Sequence, residues 1–180
     1  MHDPEHEHKP QEDEKYYLKQ LTDCVQASKS VFTEDEKSII YRCLQKVKEI
    51  PDNLRRQLWI KGSGGLRAKL NNPNYYQRLL KDYKAYPNPC FYQIGLDLER
   101  TFPEIEEFTL KPMLAKLRNI LYAYTKRNPT VGYCQGMNFV AGRLLQILED
   151  EEDVFWVLTC LLESILPIDY YSIISGVLVD

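Results

Sequence analysis

Residues 110–129 read LKPMLAKLRNILYAYTKRNP. Leu110, Met113, Leu114, Leu117, Ile120, Leu121 and Tyr124 recur at steps of three and four, which puts them on one face of an α-helix. Lys126 and Arg127 fall in the last turn, where cations suit the negative end of the helix dipole, and Asn128-Pro129 ends the run.

The same spacing recurs on both sides. At 33–50, TEDEKSIIYRCLQKVKEI opens with Thr33 and Glu36, a pair able to satisfy each other's orphan amides at a helix start. Ile39, Ile40, Cys43, Leu44 and Val47 follow on one face until Pro51. Residues 137–148 and 151–166 continue in the same manner, strand-like alternation is scarcely seen, and hairpin dipeptides are absent. The expectation is an all-α domain, a non-repetitive bundle of about eight helices, with GSGG at 62–65 as a flexible joint.

A chain of 180 residues, 44% hydrophobic, holds material for one domain with a real core. The net charge of −3 and the lack of a Lys/Arg run argue against a nucleic-acid binder. The most apolar stretch, VFWVLTCLLESILP at 154–167, is interrupted by Glu163 and ends at Pro167, short of the roughly 20 residues a membrane span needs. It is read as a buried helix.

Residues 1–15 are polar and mostly acidic, a composition that cannot bury enough surface to order itself and that lacks the apolar segment of a secretory signal. They are assigned to a disordered acidic tail, residues 16–49 to preceding helices and 50–180 to the main domain. Five widely spaced cysteines with no C-x-x-C pair read as reduced, packed thiols, so the chain is expected to be intracellular.

All three histidines, His2, His6 and His8, lie in that tail. The body therefore lacks the residue on which Ser-His-Asp and Cys-His systems and most zinc sites depend. Gly62, Gly64 and Gly65 match no phosphate-loop spacing and are read as a turn between helices. Cys134 has neither a histidine partner nor a following arginine at phosphate-cradling distance, so it is read as packed. The acidic run at 149–153 is read as an exposed helix start.

Two polar residues in apolar, glycine-containing settings remain. In IGLDLER (94–100), Ile94, Asp97 and Arg100 are spaced by three and share a helix face, so the acid can hold the guanidinium; a plain surface ion pair has the same spacing. In YCQGMN (133–138), Gln135 lies between Gly132 and Gly136, which permits close backbone approach; a simple helix-start loop would look similar.

These stretches resemble the I-x-x-D-x-x-R and Y-x-Q motifs of the TBC domain of GTPase-activating proteins for Rab GTPases. IPDNLRRQLW (50–59) is similar to the family's opening R-x-x-x-W motif, through Arg55 and Trp59. Glu49 and Arg56 stand where many members have glycine, and the chain ends at Asp180, in what looks like the middle of the domain. The resemblance covers about residues 50–180.

It implies a two-finger mechanism, with Arg100 as the arginine finger and Gln135 as the glutamine finger on a GTP-bound Rab. The chain then needs no cofactor of its own, because the partner carries GTP and Mg²⁺. Asp97 would orient Arg100, Tyr133 would fix the second loop, Asn138 and Arg55 would support the site, and Trp59 would lie in the core. The implied setting is cytoplasmic, with any membrane contact made through the Rab. The alternative is a non-catalytic Rab-binding adaptor or an inactive fragment of such a protein. Convergence of the fingers is a requirement, since a helix over 110–127 would hold them roughly 27 Å apart. The ten residues between Arg100 and Leu110 could return some 33 Å.

Overall fold

The computed structural model describes residues 10–81, 88–167 and 170–171. Among these there is no strand, and the chain is helical almost throughout. In order come α1 (Pro10–Ala27), α2 (Glu34–Leu44), α3 (Asp52–Gly62), α4 (Gly65–Asn71) and α5 (Tyr75–Lys81). Then follow α6 (Cys90–Leu98), α7 (Glu106–Thr109), α8 (Lys111–Arg127), α9 (Met137–Leu148) and α10 (Glu151–Cys160), the last continued by a π-helical turn, Leu161–Ile165. The ten α-helices among the described residues exceed the expected eight because several are only one or two turns long.

The helix starts follow local chemistry. Thr33 and Glu36 form both halves of the capping box, with Thr33 N–H donating to Glu36 Oε2 at 2.7 Å and Glu36 N–H to Thr33 Oγ1 at 3.3 Å. Asp150 caps α10 by accepting from the Asp153 amide at 2.9 Å. The α2 helix stops at Leu44 instead of running to Pro51. GSGG carries the chain from α3 to α4, as expected of a turn.

The main core is built where α8, α9 and α10 pack together. Leu117, Ile120 and Leu121 meet Met137, Ala141 and Leu145, and Val154, Phe155 and Leu158 close the layer, all at most 1% exposed. Burying each large side chain contributes about 1.5–3 kcal/mol. Helix α6 packs across α8 and α9 and adds Ile94 and Leu98. Glu163, which interrupts the apolar sequence, has its partner here: Arg127 at the end of α8 grips it through Nε and Nη2, at 2.9 to 3.2 Å.

A second, smaller core joins α1, α2 and α3 through Leu21, Val25, Phe32, Ile40, Cys43 and Leu54. Helix α1 begins at Pro10, so residues 10–15, assigned by composition to the tail, are helical; Glu14 accepts the Lys48 amide at 2.8 Å. Residues 1–9 lie outside the described residues.

Helix α3 departs from simple periodicity. Trp59, expected in the core, is 38% exposed and lines an apolar groove with Leu44, Leu58, Leu161 and Ile165. Lys61 is buried instead, its ammonium donating to the carbonyls of Val25 at 2.7 Å and Ser28 at 2.8 Å at the end of α1. A cation there satisfies orphan carbonyls and suits the helix dipole. Lys61→Met is expected to lower the unfolding free energy by about 2 kcal/mol, the scale of charge-assisted bonds lost from a buried place. Urea denaturation measures the loss, and unchanged stability would show that the ammonium does not hold α1.

No helix among the described residues is long and apolar enough to cross a membrane.

Candidate functional site

Helix α6 turns Ile94, Asp97 and Leu98 inward. Its end tightens into i to i+3 turns, Arg100 N–H to Asp97 O at 3.2 Å and Thr101 N–H to Leu98 O at 3.1 Å. Arg100 therefore projects from the helix end with 61% of its side chain exposed, while Asp97 beside it is only 4% exposed. Arg100 donates from Nη2 to Asp97 Oδ1 at 2.7 Å and from Nε to the Leu96 carbonyl at 3.2 Å. Its Nη1 has no partner among the described residues.

The second stretch leaves α8 at Asn128, whose side chain accepts the Val131 amide at 3.2 Å and whose carbonyl accepts the Gly132 amide at 2.8 Å. Gly136 precedes α9 with φ +101°, a conformation costly for any residue with a Cβ. Between buried Cys134 and Gly136, Gln135 is exposed, and its carboxamide makes no hydrogen bond among the described residues.

Two braces tie these loops together. Tyr133 donates its hydroxyl proton to Asp97 Oδ2 at 2.8 Å, so one buried carboxylate holds Arg100 with one oxygen and the Gln135 loop with the other. On the far side of Gln135, Asn138 donates to Thr101 Oγ1 at 2.8 Å and accepts the Gly136 amide at 3.1 Å. Thr101 in turn donates to the Asp97 carbonyl at 2.7 Å. The Tyr133 hydroxyl also lies 3.2 Å from Asn138 Oδ1, the weaker, neutral acceptor. Burial, reinforced by the Asp97 carboxylate, pushes the Tyr133 phenol well above its ordinary pKa, so it remains a donor.

The turn after Arg100 is held by packing. Phe102 has φ +50°, a left-handed conformation rare for a bulky residue and costing about 1–3 kcal/mol. Its ring packs edge-on to Phe108 and Phe139 with centroids 5.4 and 5.3 Å away, and the Arg143 guanidinium lies 4.4 Å from its centroid. Helix α9 comes so close that a Cβ on Gly142 would stand 3.0 Å from the Phe102 ring and 3.2 Å from Thr101 Cγ2.

Arg100, Asp97, Tyr133, Gln135 and Asn138 are thus brought to one place. Arg55 is not. It pairs with Asp52 and the Ile50 carbonyl, each at 2.8 Å, and lines a separate groove at the start of α3. Its neighbour Arg56 makes the longer-range tie, reaching Glu149 and donating to the Ile147 carbonyl at the end of α9. Burial raises the pKa of Cys134, which keeps the thiol protonated and unreactive. Thr101 and Gln93, which donates to Asp97 Oδ2 at 3.3 Å, were not singled out by sequence. The i, i+4 spacing of Gln93 and Asp97 was the available signal for the second.

The profile of the Rab-GTPase-TBC domain family matches residues 52–175. TBC1 domain family member 2A of Ailuropoda melanoleuca is 43% identical over 126 residues, 68% of this chain and 14% of that protein. Growth hormone-regulated TBC protein 1 of Xenopus laevis is 41% identical over 128 residues, 69% of this chain and 37% of that protein. Among solved structures, a flagellar RabGAP TBC domain from Chlamydomonas aligns with a TM-score of 0.71 at 28% identity, covering 90% of this chain and 57% of that one. The Ypt/Rab-GAP domain of Gyp1p aligns with a TM-score of 0.62 at 22% identity, over 88% of this chain and 59% of that one, a likeness of fold alone.

Proposed function

Because the chain belongs to the Rab-GTPase-TBC domain family, we propose that it accelerates GTP hydrolysis by a Rab GTPase, with Arg100 as arginine finger and Gln135 as glutamine finger. The observation that carries this reading is the shared brace: one buried carboxylate holds the exposed Arg100 side chain and, through Tyr133, the loop that carries exposed Gln135.

Hydrolysis of GTP builds charge on the γ-phosphoryl oxygens and the leaving oxygen, and needs a water held in line with the breaking bond. Arg100 meets the first need. Asp97 and the Leu96 carbonyl hold one edge of the guanidinium, leaving Nη1 to donate to phosphate. Gln135 meets the second need, since a carboxamide offers an acceptor for the water and a donor for the phosphate together. Gly136 lets the loop bring that amide forward without a side chain in the way. The chain supplies no cofactor; nucleotide and Mg²⁺ arrive with the GTP-bound Rab, through which any membrane contact is also made.

The chain spans 14% and 37% of the length of the two relatives above, and less than two-thirds of both solved domains. The second reading is an element that binds a Rab without changing its hydrolysis rate, which would need the helical scaffold and an exposed surface but not the two fingers. Single-turnover hydrolysis by a panel of GTP-loaded Rabs, with and without the chain, separates the two. Acceleration of at least one Rab is expected. Binding without acceleration would select the adaptor, and neither binding nor acceleration across the panel would reject both.

A further inference from the structure

We propose that Tyr92, Leu96 and Phe139 form an apolar rim around the two fingers, against which an apolar patch of the GTP-bound Rab beside its nucleotide site docks. The inference rests on the finger reading and deepens it by assigning the contacts that hold the partner while the fingers act.

Large apolar side chains exposed singly are ordinary and carry no message. These three are distinguished by placement. Ten large hydrophobic residues are exposed among the described residues, and three of them flank the two finger positions. Tyr92 (77% exposed) and Leu96 (44%) stand four apart on the outer face of α6, and Arg100 follows two residues past the helix end. Phe139 (42% exposed) is four residues after Gln135, in the first turn of α9.

The finger geometry sets part of this rim beside the phosphate that Arg100 would meet. Arg100 donates to the backbone carbonyl of Leu96, so its guanidinium lies back along the helix over that turn. One turn rises only about 5.4 Å. A protein that brings a phosphate to Arg100 Nη1 therefore covers Leu96. Tyr92 is the next position on that face, and Gly95 between them adds no obstacle: a Cβ there would meet nothing within 4 Å. On the other side Phe139 packs on Phe102, two residues after Arg100, so the rim continues across the second brace.

A tyrosine such as Tyr92 supplies a large contact area for little side-chain freedom lost on docking.

Steady-state hydrolysis measures the split between binding and chemistry, using the chain and the GTP-loaded Rab of the panel that it accelerates most. Tyr92→Ser and Leu96→Ser are each expected to raise KM roughly ten- to thirtyfold, the range of interface hot spots, with kcat within about twofold, whereas Phe139→Ser also removes a support of the Phe102 turn and should raise KM and lower kcat together. Tyr92, the most exposed of the three, takes least part in packing, so Tyr92→Ser decides where the others perturb it. Tyr41, 69% exposed on α2 and remote in sequence from both fingers, is the control, and Tyr41→Ser should alter neither constant. If the chain only binds, the same variants are compared by Kd for Rab loaded with a non-hydrolysable GTP analogue, with the same fold-change expected.

An unchanged KM and Kd in Tyr92→Ser and Leu96→Ser overturns the rim, while Arg100→Ala that still abolishes acceleration leaves the fingers standing. Full activity in Arg100→Ala overturns the finger reading instead, even if the rim variants weaken binding.

Discussion

Arg100→Ala is expected to abolish the acceleration of GTP hydrolysis, and Arg100→Lys to do nearly the same, with a much smaller loss of folding stability in both. An arginine finger contributes about 10³–10⁵ in rate, which is roughly 4–7 kcal/mol of barrier at 1.36 kcal/mol per decade. The fold has less at stake in this side chain. Its partner Asp97 is only 4% exposed but keeps Tyr133 and Gln93 as donors, so losing the exposed guanidinium costs about 1–3 kcal/mol of stability. A large kinetic loss with a smaller loss of stability is therefore the signature of a finger, and the reverse ratio would mark Arg100 as a structural residue.

The lysine variant separates charge from geometry. Arg100 spends Nη2 on Asp97 and Nε on the Leu96 carbonyl, and still has Nη1 available. Lysine has one nitrogen, and a strongly hydrated one. If Asp97 holds it, it is drawn away from the phosphate; if it reaches the phosphate, Asp97 no longer steers it. Single-turnover hydrolysis with a saturating partner measures the chemical step. Rates equal to the unmodified chain in both variants would remove Arg100 from the mechanism.

Much of this architecture could be read before the structure, and the reason is local. Helix identity depends on periodicity and caps, so the predicted segment at 137–148 and the Thr33–Glu36 capping box agree with what is found. The I-x-x-D-x-x-R spacing placed Asp97 and Arg100 on one face, and their bond spans only three residues. Long-range choices were invisible. Nothing local distinguishes Lys61, which is buried because the end of α1 presents carbonyls to it, from the exposed lysines around it. Trp59, expected in the core alongside the opening motif, is turned by α3 into a groove instead. Arg55 shares a motif with Trp59 but pairs within its own helix start, whereas Arg56, one position on, crosses to α9. The bond between Tyr133 and Asp97 joins residues 36 apart and follows from the packing of α6 across α8 and α9.

Asp97 is where a single substitution is expected to disturb both fingers together. Asp97→Ala removes at once the acceptor of Arg100 Nη2, Tyr133 Oη and Gln93 Nε2. Leaving partly buried donors without acceptors costs about 1–3 kcal/mol of stability, visible as a lower denaturation midpoint. The larger effect falls on kcat, expected to drop roughly 10²-fold, the penalty of an ångström-scale misplacement of reacting groups. Asp97→Asn keeps the shape but must turn an NH₂ toward one of its donors, so it should sit between the parent and Asp97→Ala. Tyr133→Phe cuts only the second loop from the carboxylate. If Asp97 works by joining the loops, the Asp97→Ala/Tyr133→Phe pair loses no more rate than Asp97→Ala alone, because one brace is removed twice. Losses that simply add would mean that each residue steadies its own loop, and that the common carboxylate does not set the spacing of guanidinium and carboxamide.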